Sequence, residues 1–165
     1  MNLQNIIETG IAPGLALLPS AMDSKEARVM MLAIGLQESR FEFRRQLGNG
    51  PARGFYQFEL GTRASRGGVW GVWLHPASRY WLAKLCAARA CEFEPRAIWT
   101  AIEFDDVLAA GLARLLLFTD AQRLPAIGQE AAAWNLYALR CWRPGKPHRS
   151  TWAKFYAMAV QEVLK

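Results

Sequence analysis

The chain has no block of five or six basic residues, no internal repeat, no low-complexity tract and no long linker. These absences argue against disordered and solenoid architectures and leave one folded domain over 1–165. Period-two alternation of apolar and polar residues is nearly missing, which excludes an all-β sandwich or barrel and makes the class mainly α. Cysteine is scarce. Cys86, Cys91 and Cys141 make an odd number without metal-ligand spacing or nearby histidines. Reduced thiols in a chain made in a cytoplasm are therefore expected rather than a disulfide scaffold, although spacing alone leaves a Cys86–Cys91 bridge open. His75 and His148 stand far apart, each beside a proline, and read as surface residues without a metal. The first 22 residues lack a basic leading segment, carry Glu8 before their apolar part and contain Pro13 and Pro19. They are a poor signal peptide and too broken to span a bilayer, and are expected as an extension packed on the domain.

What the chain does contain is apolar surface and positive charge. Of its 165 residues 52% are hydrophobic and 21% charged, enough for one sizeable core. A net charge of +6 favours an acidic partner such as nucleic acid, an anionic membrane or the bacterial envelope. Eight Phe and seven Trp serve either a thick core or a groove for sugar rings or bases.

Asp23 with Glu26 reads as a capping pair for a helix from about Ser24 to Arg40. Residues 44–75, rich in Gly and Arg, read as loops with one short hairpin. GGVWGVW within them, at 67–73, is either a mobile lid or a loop whose tryptophans plug the core. Pro76 then leads a helix to about Arg89, and Pro95 a short one through Ile102. Asp105 or Asp106 caps an apolar, central helix through Phe118, which is too short for a membrane span. Further helices cover about Ala126 to Leu139 and Ser150 to Leu164, the last with Trp152, Phe155, Tyr156, Ala159 and Val160 on its apolar stripe.

One residue breaks the pattern. Ala27, Met31, Ile34, Glu38 and Phe41 follow at intervals of four, three, four and three, so Glu38 interrupts the apolar face of the first long helix near its C-terminus. Desolvation and the negative end of the helix dipole both raise a carboxyl pKa there, as a general acid requires. Pairing with Arg44, Arg45 or Arg53 has the opposite effect, and wheel geometry does not decide between them. Downstream, GPARGFYQ at 50–57 joins glycines that permit close backbone approach to two aromatics and an amide that both donates and accepts.

QESRF at 37–41 and GPARGFYQ together resemble the signature of the lysozyme-like superfamily, in its soluble lytic transglycosylase and goose-type lysozyme branch. That signature runs Glu-Ser at a helix end, a short loop, then Gly-Ala-x-Gly-Leu-Met-Gln. Phe55 and Tyr56 stand in place of its Leu and Met. AAAWNLY at 131–137 is similar to the family's Ala-Ala-Tyr-Asn-Ala-Gly, with Tyr137 where the family has Gly, and Pro144-Gly145 echoes a later Pro-Gly. The resemblance covers residues 24–147 and implies a lysozyme-like domain with a small loop or hairpin region beside the cleft. It implies a monomeric enzyme acting on peptidoglycan glycan strands without cofactor or metal. Glu38 would be the catalytic acid and base, and Ser39 would orient it or a substrate carbonyl. Gln57 and Asn135 would bind N-acetyl groups, with Tyr56, Trp134 and Tyr137 along the cleft.

Hydrolysis needs a second carboxylate. Glu59 and Glu42 are the candidates, Asp105 and Asp106 being better explained as caps. With no evident partner, one acid suits lytic transglycosylation better, with a hydrolytic lysozyme (muramidase) using a second carboxylate as the alternative. The size, charge and missing export signal suit a phage or prophage lysin made in the host cytoplasm and acting at the wall, released by a holin or carried in the virion. Two other readings remain open at this level. A nucleic-acid-binding protein would use Trp70, Trp73, Trp134 and Trp142 as stacking platforms, and an inactive lysozyme-fold part of a phage particle would keep the motifs without the chemistry.

Overall fold

The computed structural model describes residues 2–165; Met1 lies outside the described residues. The protein is mainly α, as the missing strand pattern requires. The N-terminal segment is one interrupted helix: α1 (Leu3–Ile6), a π-turn (Ile7–Ile11) and α2 (Ala12–Ala16). Pro13 has no N–H to donate to the carbonyl four residues back, and the ladder widens by one residue before it, with Ala12 N–H bonding to Ile7 O. This segment packs on α7 (Asp106–Phe118), and at Gly14 a Cβ would lie 2.9 Å from Val107 O, so only glycine admits the close approach.

The first long helix, α3 (Lys25–Ser39), is capped by Ser24, whose Oγ accepts from Ala27 N–H at 3.1 Å. The expected cap, Asp23, is instead held by both oxygens on Arg28, at 2.7 and 2.8 Å. Val29 to Ile34 are all buried, and α3 and the more apolar α7 form the centre of the domain. Beyond α3 the chain turns through two residues in left-handed conformation, Arg40 (φ 55°) and Phe41 (φ 54°).

Residues 45–58 form the short hairpin-like region, reduced to two isolated bridges, Arg45 with Arg53 and Arg53 with Phe58. At its bend Gly54 has φ +68°, and a Cβ there would stand 2.4 Å from Ile102 O. GGVWGVW is neither lid nor loop. It is α4 (Gly68–Leu74), with Val69 and Val72 fully buried and Trp73 stacked on Phe93 at 5.4 Å. Burial of two valines outweighs the poor helix propensity of the glycines.

α5 (Arg79–Ala88) starts three residues past Pro76, because Ser78 turns inward and donates from Oγ to Val72 O at 2.7 Å. α6 (Pro95–Ala101) begins at its proline, and α7 is capped by Asp105 as expected. α8 (Glu130–Asn135) begins four residues later than Ala126, since Gly128 (φ +96°) breaks the first turn, and it runs into a second π-turn (Leu136–Cys141). α9 (Arg149–Val163) buries Trp152, Tyr156 and Ala159 against α3. All three cysteines are free thiols. No helix among the described residues is long and apolar enough to cross a membrane.

Gly54→Ala should lower unfolding free energy by at least about 2 kcal/mol, since it combines a left-handed alanine with a collision against backbone. Urea denaturation of the variant against wild type checks this, and an unchanged midpoint would mean the bend at 54 is not constrained as described.

Candidate functional site

The last turn of α3 delivers two adjacent side chains in different directions. Ser39 is buried and ties the helix to the following loop: its Oγ donates to Phe55 O at 2.6 Å and accepts from Phe41 N–H at 3.1 Å. It positions the loop and does not line the cleft. Glu38 lies at an open cleft of about 1080 Å³. One wall is Gln46, Ala52, Gln57, Phe58 and Glu59, and another comes from the segment 141–148.

The arginines that a buried Glu38 would need are all engaged elsewhere. Arg44 grips both carboxylate oxygens of Asp106, at 2.6 and 2.8 Å, and Arg45 and Arg53 both bond Glu103. Glu103 is 5% exposed and bridges the hairpin-like region to the end of α6. What Glu38 does have is Tyr137, whose hydroxyl donates to Oε1 at 2.7 Å. The Tyr137 ring lies flat on Trp152, with centroids 4.9 Å apart and planes 4° from parallel, so the hydroxyl is aimed by packing. Burial and the neighbouring carboxylate both raise the Tyr137 pKa, keeping it a donor. Burial pushes the Glu38 carboxyl up to about 7, with the Tyr137 hydrogen bond working the other way.

Gln57 lines the cleft in left-handed conformation (φ 50°), its amide nitrogen donating to Gly54 O at 2.8 Å and leaving its oxygen free to accept. Glu59 is exposed on the same wall and has no ion pair among the described residues, Arg63 included. Tyr137, expected along the cleft, is 2% exposed and meets the cleft only through Glu38, and like Ser39 it does not line it; Tyr56, Trp134, Asn135 and Glu42 also depart from expectation. Tyr56 is 2% exposed and fills core under the loop, edge-on to Phe41, because the left-handed bend at Gly54 turns it away from the cleft. Trp134 and Asn135 do not line the cleft. A helix rotates about 100° per residue, so Asn135, two positions back from Tyr137, faces the other way and is exposed, while Trp134, three back, shares the Tyr137 face and packs between Tyr137 and Trp152 rather than on the cleft. Glu42 lies past the turn at Arg40 and Phe41 that ends the helix, so four-residue spacing no longer places it beside Glu38.

The segment 141–148, in which the sequence offered only the Pro144-Gly145 echo and Trp142 as a stacking platform, supplies the second wall. Trp142 donates from Nε1 to Tyr56 O at 3.0 Å, packs on Phe58, and leads into Arg143, Lys146 and His148. Its one sequence signal is a tryptophan followed by three basic residues, Arg143, Lys146 and His148, interspersed with two prolines. Among the described residues no three His, Cys, Asp or Glu side chains gather closely enough to hold a metal ion. The chain matches no protein-family model, no curated protein and no solved structure.

Because Glu38 holds its proton more tightly folded than unfolded, its contribution to stability is full below pH 4.5 and is lost as pH rises to about 7. The loss amounts to about 3 kcal/mol. Glu38→Gln has no such group. Relative to wild type, the variant should gain stability steadily across that window and hold the gain above it, as read by urea denaturation at stepped pH. A difference that does not change with pH would show that Glu38 titrates as an ordinary carboxylate.

Proposed function

We propose that this protein cleaves peptidoglycan glycan strands at the β-1,4 bond between N-acetylmuramic acid and N-acetylglucosamine, with Glu38 as acid and base. The observation that carries this reading is a carboxyl at an open cleft, without a cation partner among the described residues, that burial pushes up to about 7. The motif resemblance to lytic transglycosylases and goose-type lysozymes points to the same residue. Protonated Glu38 donates to the glycosidic oxygen, and the C1–O bond breaks to release the N-acetylglucosamine 4-hydroxyl. The carboxylate then accepts the proton of the muramyl 6-hydroxyl as that oxygen bonds C1, giving a 1,6-anhydro end and restoring the acid. No external water takes part. Tyr137 holds Glu38 in place, and Gln57 offers its free amide oxygen to an N-acetyl N–H.

One observation favours a second reading. Glu59 shares the cleft and is unpaired, so it is available as a base for water, which would make the enzyme a hydrolase. The rival nucleic-acid reading draws less support, since Trp73, Trp134 and Trp142 each pack on other aromatics of the chain. By the same resemblance we assign the protein to a phage or prophage lysis system, made in the host cytoplasm and reaching the wall through a holin or in the virion.

Digestion of purified peptidoglycan with product masses tests the proposal. Wild type should release 1,6-anhydromuramyl fragments, with a rate that falls as pH rises through about 7 because Glu38 must begin protonated. Glu38→Gln should lose activity by about 10²–10⁴-fold. Reducing-end muramyl products, abolished in Glu59→Gln, would establish the hydrolytic reading instead. Equal release by wild type and Glu38→Gln would end both.

A further inference from the structure

The end of α5 brings together two sulfurs that take no part in the cleft. The helix stops at Ala88, Arg89 caps it, and Ala90 turns left-handed at φ 50°. Two nested backbone bonds close this end: Cys91 N–H donates to Cys86 O at 2.9 Å, and Ala90 N–H to Ala87 O at 3.2 Å. That pair of bonds is the Schellman motif, in which the residue two past the cap lies against the residue three before it. Here both of those residues are cysteine, and their thiols lie within hydrogen-bond reach of each other. A path of one carbonyl, one hydrogen bond and one amide keeps the two α-carbons no more than about 6.8 Å apart, inside the span that a disulfide bridges.

The surroundings hold this turn in place. Glycine is the ordinary residue at the left-handed position, and alanine there costs free energy, so Ala90 keeps its conformation through its neighbours. On one side Arg89 pairs with Asp105, the cap of α7, at 2.9 Å, and on the other Phe93 stacks on Trp73 of α4. Cys86 is fully buried while Cys91 is half-buried, so solvent reaches one thiol of the pair and not the other. The third cysteine, Cys141, lies elsewhere, at the cleft, with its sulfur 3.8 Å from Leu116 O.

We propose that Cys86 and Cys91 are a disulfide site, closed by exchange with a disulfide oxidant when the chain leaves a reducing compartment, and that the bridge staples the end of α5. Cys91 loses its proton to solvent and attacks one sulfur of the oxidant, which forms a mixed disulfide and expels a thiolate that takes up a proton. Cys86, deprotonated in turn, attacks Cys91 Sγ, forms the internal bond and expels the second thiolate, which is also protonated. Two cysteine thiols are thereby oxidised and one disulfide of the oxidant is reduced to two thiols. Burial raises both cysteines, Cys86 to about 12, and at Cys91 the charges of Asp105 and Glu92 add to the rise against the hydrogen bond from Cys86. Few thiolates exist at neutral pH, so closing is slow. Nothing in the site stabilises a thiolate, which is what makes a disulfide easy to reopen, so the pair suits a lasting staple and not a redox catalyst. Neither thiol lines the cleft, and the inference does not rest on the muralytic reading.

The test incubates the full chain, purified under reductant, with glutathione disulfide at about pH 8, where thiolates are more abundant. Alkylation after denaturation should then label Cys141 alone of the three cysteines. Trypsin cuts after Lys84, Arg89 and Arg96, so the bridge should appear by mass as residues 85–89 joined to residues 90–96. Closing so short a loop should raise the thermal midpoint by about 4–8 °C over the reduced form of the same chain. Comparing one chain in two redox states keeps the folding of a variant out of the result. In C91S the midpoint should be the same with and without glutathione disulfide. Three labelled cysteines, a glutathione adduct that stays on Cys91, or a bridge between two chains overturns the site. An internal bridge that leaves the midpoint unchanged overturns the staple. Any of these results leaves the muralytic reading standing, and a protein that bridges but cleaves no peptidoglycan would remove that reading alone.

Discussion

Glu103 decides the charge state of the cleft without touching it. This nearly buried carboxylate takes Arg45 and Arg53 together, while Asp106 takes Arg44, so three guanidinium groups close to the end of α3 are all engaged. A carboxylate so enclosed needs its partners, because an uncompensated buried charge is strongly destabilising. The arginines are thus held at the hairpin-like region and away from Glu38. Had one of them turned toward Glu38, Coulomb attraction would have pulled that carboxyl down into the range of an ordinary acid. The same pairs fasten residues 44–53 to the start of α7 and to the residues just before it, which keeps Gln57 and Glu59 on a fixed wall.

The rest of the site follows from packing. Ser39 joins α3 to Phe55, and Trp142 joins the second wall to Tyr56, so both walls are anchored on the same short loop. Tyr56 fills the core beneath that loop, and this is what its ring contributes instead of a sugar contact. On the far side, Tyr137, Trp152 and Tyr156 lie in one row of nearly parallel rings that sets where the Tyr137 hydroxyl ends. Glu38 therefore has a neutral donor on one oxygen and the cleft beside it. A neutral donor stabilises the carboxylate less than a guanidinium would, and burial prevails.

Elements fixed by local chemistry were legible in the sequence. Pro95 opens α6, Asp105 caps α7, and the 150–164 stripe forms α9, since each depends on neighbours three or four residues away. Glu38 was legible for the same reason, as one polar residue on an apolar stripe. Ser24 and Asp23 offer equivalent cap oxygens, and only the position of Arg28 separates them. GGVWGVW looks irregular because glycine has low helix propensity, whereas its helix is held by valines buried against distant elements. The partnership of Tyr137 with Glu38 spans 99 residues and passes through a π-turn that shifts the helix register, so no spacing rule in the sequence reaches it. Trp134 packs on Trp152, a partner from α9 that no local spacing reveals.

Burial, opposed only by one hydroxyl, keeps Glu38 protonated near neutral pH. Carbon-detected NMR titration of the Glu38 side-chain carboxyl tests it most directly, in wild type and in Tyr137→Phe. A midpoint near 7 in wild type, moving higher when the tyrosine hydroxyl is removed, is the predicted result. A wild-type midpoint at or below 4.5 would contradict the account, because Glu38 would then be an ordinary carboxylate with no proton to give at neutral pH.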